Sequence, residues 1–505
     1  MFIRKNRNRS GSISIQIIQK VGRKNKVLET VGCANTLREE ELLMVIAKNK
    51  IVNLTKTQSL FIEHDDLVID SFVDNLHNSQ LQIVGPQIVF GDIYNRIGLN
   101  QIEDIEFFKD LVICRLIYPG SKLKSIQYFQ RHFNKEISVY SIYRFLDKLN
   151  SQYKDKIELL TFEHTRKILN GQIGIVFYDM TTLYFEASEE DDLRIIGYSK
   201  DGKHQQPQIM IGLLVGINGY PIGYEIFEGN TSETKTLIPI IESFQKKFSI
   251  SKPIVVADAG LLSQKNIEAL IKAEYTYILG GRIRNESQII KDKILALNVT
   301  EEISNEIKHE NGRLIVTYSE KRKRKDQYNR LKGLKRLEQK VKTGKLKKEN
   351  INNRGYNKYL KLEGNAKIYI DYDKYNQDAV WDGLKGYITN TTLSRSDIID
   401  AYQQLWQIEK AFRISKTDIK IRPIYHRCKN RIEAHICICF TAYSMYKELE
   451  RLIKINKLEI SVDTVIAQIK DIQQITYVLP VSNTIKTKLL KLNPIQKKIL
   501  EIFNP

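Results

Sequence analysis

Three carboxylates stand out by their surroundings. Asp179 closes the apolar run Ile173 to Tyr178, Asp258 closes Pro253 to Ala257, and Glu409 lies in a helical stretch after Ser396, between aromatic and basic neighbours. An acid that ends a buried apolar run is expected at a strand tip. A helical crossover between the two runs favours parallel neighbours, whose tips then lie side by side. Two such acids repel unless a cation intervenes, and hard divalent cations prefer oxygen donors. Two ions about 4 Å apart stabilise both the attacking and the leaving oxygen of a phosphodiester transfer. Asp179, Asp258 and Glu409 are therefore the expected catalytic groups and metal ligands, holding two hard divalent ions. Taken singly, each aspartate also reads as a cap on the turn after a strand.

The stretch that carries Glu409 has two stripes. Ile398, Ala401, Leu405, Ile408 and Phe412 form an apolar one, expected to pack on a sheet, and Tyr402, Trp406, Glu409, Arg413, Lys416 and Lys420 lie about 100° around the helix. Such a face can supply a metal ligand, cations for phosphates and rings for bases. It can also be a solvated face with local ion pairs. Trp406 either stacks on a base displaced from a duplex or fills the seam between this helix and a neighbouring domain.

The elements that must position these groups follow from pattern. Apolar runs at 173–178, 208–217 and 221–227 read as three strands, the last two joined across Asn218-Gly219, a dipeptide suited to a tight hairpin. A helix over 232–248, the strand 253–257, a helix capped by Ser263 and a strand at 275–279 complete the order of a ribonuclease-H-like sheet. The expected fold class is α/β: a ribonuclease-H-like mixed sheet flanked by helices, interrupted by a charged, partly β insertion, with an N-terminal hairpin and a helical DNA-binding region. The expected divisions are a hairpin-plus-helix module (1–60), a helical region with helix-turn-helix proportions at 121–149 (61–165), the first part of the core (166–281), a basic insertion (282–381), the second part of the core with the Glu409 helix (382–450), and a C-terminal helical region (451–505).

Phe177-Tyr178-Asp179-Met180-Thr181-Thr182, Val255-Val256-Ala257-Asp258-Ala259-Gly260-Leu261-Leu262-Ser263, and Tyr402 with Trp406, Glu409 and Lys416 stand in this order along the chain. Together with Gly229-Asn230 and Arg422-Pro423-Ile424-Tyr425-His426 they resemble the acid-triad (DDE) transposases of bacterial insertion sequences that carry a Tyr-Arg-Glu-Lys signature, over about residues 170 to 445. The resemblance implies a ribonuclease-H-like core with a strand-rich insertion between the second Asp and the Glu, magnesium, cut-and-paste movement, and a homodimer that pairs the terminal inverted repeats of double-stranded DNA before joining them to target DNA. The signature arginine is Leu405 here, so a cation for phosphate at that position is missing or supplied by Lys410 or Arg413. That departure keeps open a domesticated, DNA-binding relative, and a ribonuclease-H-like nuclease without strand transfer is a further alternative.

Charge points the same way. The chain of 505 residues carries a formal +20, and 14 basic residues against two acidic ones between Lys321 and Lys348 supply +12 of it. Clustered cations gain affinity for a polyanion by releasing its counterions. The residues expected to contact DNA are Lys321, Arg322, Lys323, Arg324, Lys325, Tyr402, Trp406, Lys410, Arg413, Lys416, Lys420 and Arg422. No apolar run is long enough to span a bilayer, and five unpatterned cysteines suit a reducing compartment, so a cytoplasmic protein with no membrane partner is expected. Gly197 to Lys203 matches the glycine-rich phosphate loop in part, but His204 follows where Ser or Thr belongs and a strand follows where a helix should start. His426, Cys428, His435, Cys437 and Cys439 lack the paired short loops of a zinc site.

Overall fold

A computed structural model describes residues 1–503 except 55–68, 70–71, 75, 104–105, 134, 172, 188, 200–201, 233–234, 262, 298, 302, 345, 347, 353–354, 364–366 and 480–483. Residues 200–201 of the glycine-rich loop and Lys345 and Lys347 of the basic run thus lie outside the described residues. The chain divides into two compact units, Met1–Leu81 with Gln474–Leu489, and Gln82–Gln473 with Leu490–Pro505.

The first unit holds the antiparallel strands β1 (Phe2–Arg7), β2 (Ile13–Val21) and β3 (Lys24–Ala34), followed by the helix Leu37–Leu54. Ile15 and Ile17 are fully buried against Ala47 of that helix, which is the purpose of the alternating isoleucines. The expected hairpin is present and gains a third strand from the basic start of the chain.

The second unit is built on eight strands. After β4 (Leu81–Ile83) come β5 (Ile175–Tyr184), β6 (Gln208–Val215), β7 (Pro221–Glu228), β8 (Ile254–Ala257), β9 (Tyr277–Gly281), β10 (Asn305–His309), β11 (Gly312–Tyr318), the hairpin β12 (Leu360–Glu363) and β13 (Lys367–Ile370), and β14 (Leu384–Thr389). The sheet order is β10-β11-β14-β9-β8-β5-β6-β7. β5 pairs parallel with β8 and β8 with β9, whereas β5-β6-β7 and β9-β14-β11-β10 are antiparallel. The mixed sheet with flanking helices is the expected fold. Asn218 and Gly219, at φ 60° and 76°, make the tight β6–β7 connection that this dipeptide favours.

Several local readings change. β5 does not end at Asp179 but runs five residues further, because Met180 to Tyr184 continue the antiparallel ladder with β6. β10 and β11 lie inside the range read as an insertion, yet they extend the central sheet through β14. What stands outside the sheet is the 23-residue helix Glu320–Lys342, capped by the Ser319 hydroxyl, whose Leu334 and Leu337 pack on Tyr359, Leu360 and Ile370. The continuous helix expected after Ser396 is two helices, Arg395–Gln403 and Trp406–Thr417. At the junction the amides of Leu405, Gln407 and Ile408 bond to carbonyls three residues back, a tightened turn in which each residue advances further around the axis than in an α-helix.

The two helix-turn-helix segments are the helices Lys122–Phe133 and Val139–Lys148. The second docks on the long, largely buried helix Lys429–Ile455 through a bidentate Asp147–Arg431 pair at 2.9 and 2.8 Å, with Tyr140, Arg144 and Lys148 exposed at its surface.

Candidate active site

The parallel register pairs Tyr178 with Ala257, so Asp179 and Asp258 are the next residue on each of two adjacent strands. Side chains alternate across a strand. Val176, Tyr178, Val255 and Ala257 all enter the core on one face, so Asp179 and Asp258 both project from the other. The helix Trp406–Thr417 covers that other face: its Phe412, Ser415 and Lys416 line a small cavity with Thr181 and Leu183, the β5 residues on the same side as Asp179. Each aspartate is anchored alike. The Met180 N–H donates to Asp179 Oδ1 at 2.7 Å, and the Ala259 N–H to Asp258 Oδ1 at 2.6 Å.

Tyr402, on the helix Arg395–Gln403, is buried, and its hydroxyl donates to Asp258 Oδ1 at 3.4 Å. Its ring meets Tyr387 edge-on, with centroids 4.8 Å apart. Gly280 makes the close approach possible, since a Cβ there would stand 2.4 Å from the Tyr402 hydroxyl. Burial, with the adjacent Asp258 charge adding to it, pushes the Tyr402 phenol well up, so the hydroxyl stays a donor.

Lys385 was not foreseen. Its ammonium lies 4.2 Å from the Tyr402 ring centroid and 5.2 Å from that of Tyr387. Burial and then the Arg322 charge lower its pKa to about 8, against the opposing pull of Asp258 and Glu409. One lysine thus senses the second aspartate and the glutamate together. The only sequence signal for it was a charged residue near the start of an apolar strand.

A cavity of about 780 Å³ opens from Asp258 between Gly280 to Asn285, the helix Glu320–Lys342 and Lys385. Of the five cations Lys321 to Lys325, only Arg322 lines it. Lys323 and Arg324 lean towards Glu320 at 3.9 and 3.8 Å. On the Glu409 helix, Trp406 is 52% exposed and Glu409 and Arg413 are exposed, while Lys410 is paired with Glu450. Lys416 is half-buried. Lys420 follows in the left-handed conformation, φ 52°, and Arg422 lies 5.5 Å from the Tyr184 ring centroid. Leu405 is buried in the apolar stripe.

All the donors proposed for metal are carboxylate oxygens, a set suited to a hard divalent cation. Among the described residues, no three His, Cys, Asp or Glu side chains are gathered closely enough to hold an ion. The sheet brings the two aspartates side by side, and Glu409 stands on the helix over the same face.

The fold is a mixed sheet that carries two acids side by side at the end of its parallel ladder. Residues 170–445, more than half of the chain, match the family described as transposase DDE domain, and the chain belongs to that family. It is a transposase. No curated protein matches it. Among solved structures it is similar to a piggyBac transposase in a synaptic complex with hairpin DNA, at 11% identity and TM-score 0.37, over 77% of this chain and 79% of that one. Among the described residues no helix is long and apolar enough to cross a membrane.

Proposed function

We propose that this transposase cuts double-stranded DNA at the terminal inverted repeats of a bacterial insertion sequence and joins the freed ends to target DNA, working as a homodimer in the cytoplasm. The observation that carries the reading is the side-by-side placement of Asp179 and Asp258 within the DDE domain. Asp179, Asp258 and Glu409 would hold two magnesium or manganese ions, which polarise the phosphate and activate water and then a 3′ hydroxyl.

The chain's own groups set the geometry. The amides of Met180 and Ala259 and the Tyr402 hydroxyl fix one oxygen of each aspartate, so the carboxylates are oriented before DNA arrives. Tyr402, Glu409 and Lys416 fill three of the four signature positions. Leu405 is buried and Lys410 is engaged by Glu450. Arg413, exposed on the same helix, is the cation that replaces the signature arginine at a phosphate.

Asp179→Asn, Asp258→Asn and Glu409→Gln each abolish cleavage of end DNA in magnesium or manganese and leave DNA binding largely intact, because each removes a ligand charge and no phosphate-contacting cation. Near-native cutting by any one of them removes that residue from the site. Cutting without joining removes strand transfer from the proposed reaction.

A further inference from the structure

Charge is unevenly distributed in the cavity beside Asp258. Elsewhere in its lining cations are neutralised: Arg330 pairs with Asp382 at 2.6 Å, and Lys358 with Asp378. At the Asp258 end Lys385 has no carboxylate within ion-pair distance among the described residues, and its ammonium is held by the faces of Tyr387 and Tyr402. Aromatic faces orient a cation without discharging it. The same Tyr402 donates to Asp258, so one side chain ties the ammonium to the second aspartate. Half-buried, Lys385 lies on strand β14, two strands from Asp258, and its position is set by the sheet and not by a mobile loop. A fixed, partly desolvated cation next to carboxylates is suited to charge that appears only when an anion enters between them.

We infer that Lys385 is a fourth catalytic group, whose ammonium contacts a non-bridging oxygen of the scissile phosphate while Asp179, Asp258 and Glu409 act on the other side. The inference rests on the cleavage function proposed above. Lys385 transfers nothing. As the water oxygen bonds to phosphorus and the P–O3′ bond breaks, water releases a proton to solvent and the departing 3′ oxygen takes one up, leaving a 3′ hydroxyl and a 5′ phosphate. Throughout, the ammonium balances charge growing on the non-bridging oxygens. Arg322, on the helix Glu320–Lys342, also lines the cavity but is paired with Asp326 at 3.5 Å, so Lys385 is the cation that the inference rests on.

The test uses the full chain and duplex DNA spanning the borders of the genomic segment that carries its gene, under single-turnover conditions with magnesium. Lys385→Met keeps an apolar stem against the two tyrosines and removes only the charge. Its cleavage rate is expected to fall about 100-fold, the scale of removing one transition-state donor, with DNA affinity within about threefold of the parent and the melting temperature unchanged. Lys385→Arg, which restores the charge, is expected to recover a substantial part of the rate. Wild-type cutting by Lys385→Met overturns the inference. So does a matching loss in Lys385→Arg accompanied by a lowered melting temperature in both, which marks a packing role. If the parent protein itself cuts no DNA in magnesium or manganese, the cleavage function has failed and this inference falls with it, whereas a cutting parent and an equally active Lys385→Met sink only the inference.

Discussion

Tyr402→Phe removes one atom from the proposed site. The deleted bond, from the Tyr402 hydroxyl to Asp258 Oδ1, is 3.4 Å long, well beyond the usual O–H···O separation. A hydrogen bond to a charged group contributes about 1.5–3 kcal/mol at good geometry, so at this length about 1 kcal/mol is reasonable. If that energy orients Asp258 for the reaction, the cleavage rate falls about fivefold. The ring remains packed on Tyr387 and beneath Lys385, so the melting temperature changes little. Tyr402→Ala is the contrasting variant: it deletes a buried ring, costs about 3–5 kcal/mol of stability, and loses cleavage together with fold. Single-turnover strand cleavage, DNA titration and thermal unfolding of both variants decide the matter. Tyr402→Phe cutting within twofold of the parent refutes the orienting role, and a parallel loss of DNA affinity would mean that the hydroxyl meets DNA instead of Asp258.

The other expectations concern the surface and the helical region. Neutralising the exposed Lys321, Lys325, Lys335 and Arg336 of the helix Glu320–Lys342 should weaken DNA binding and flatten its salt dependence, by up to about 0.9 in slope for each phosphate no longer neutralised; titrations at several salt concentrations with an unaltered slope would dissociate this helix from DNA. Trp406→Ala should keep its melting temperature and first-strand nicking but lose later steps, since a ring 52% exposed contributes little packing and is available to stack on a base; early unfolding with loss of every activity would favour packing. His426 is buried near Lys122, Arg115 and Arg431, and burial first, then those charges, lower its pKa to about 3, with Asp147 opposing. Below the unfolded value near 6.5 the unfolded chain takes up a proton that the folded one refuses, so stability falls as pH drops from 6.5 towards 3, by about 2 kcal/mol at pH 5 from this group. Melting curves from pH 7.5 to 5 should therefore be flatter for His426→Gln than for the parent, and equal slopes would contradict the burial argument.

Much of this was legible from local pattern. Apolar runs of strand length that end on acids, an Asn-Gly between two of them, and Ser263 ahead of a helix are statements about adjacent residues, and backbone propensity and hydrogen bonding act at that range. The basic run and the acids themselves were visible for the same reason. What required the tertiary structure was every relation across the sheet. The pairing of Tyr178 with Ala257 sets Asp179 beside Asp258, and the alternation of side chains turns both to the face covered by the Glu409 helix. Antiparallel pairing with β6 carries β5 past Asp179, and pairing with β14 draws β10 and β11 out of the supposed insertion. Tyr402 left its place on an exposed stripe because a tightened turn at Leu405 separates it from Glu409 and because Gly280 leaves room for its hydroxyl at Asp258. Lys385 had no signal of its own, since a lysine in a strand acquires its meaning only from the rings and carboxylates that distant segments bring to it.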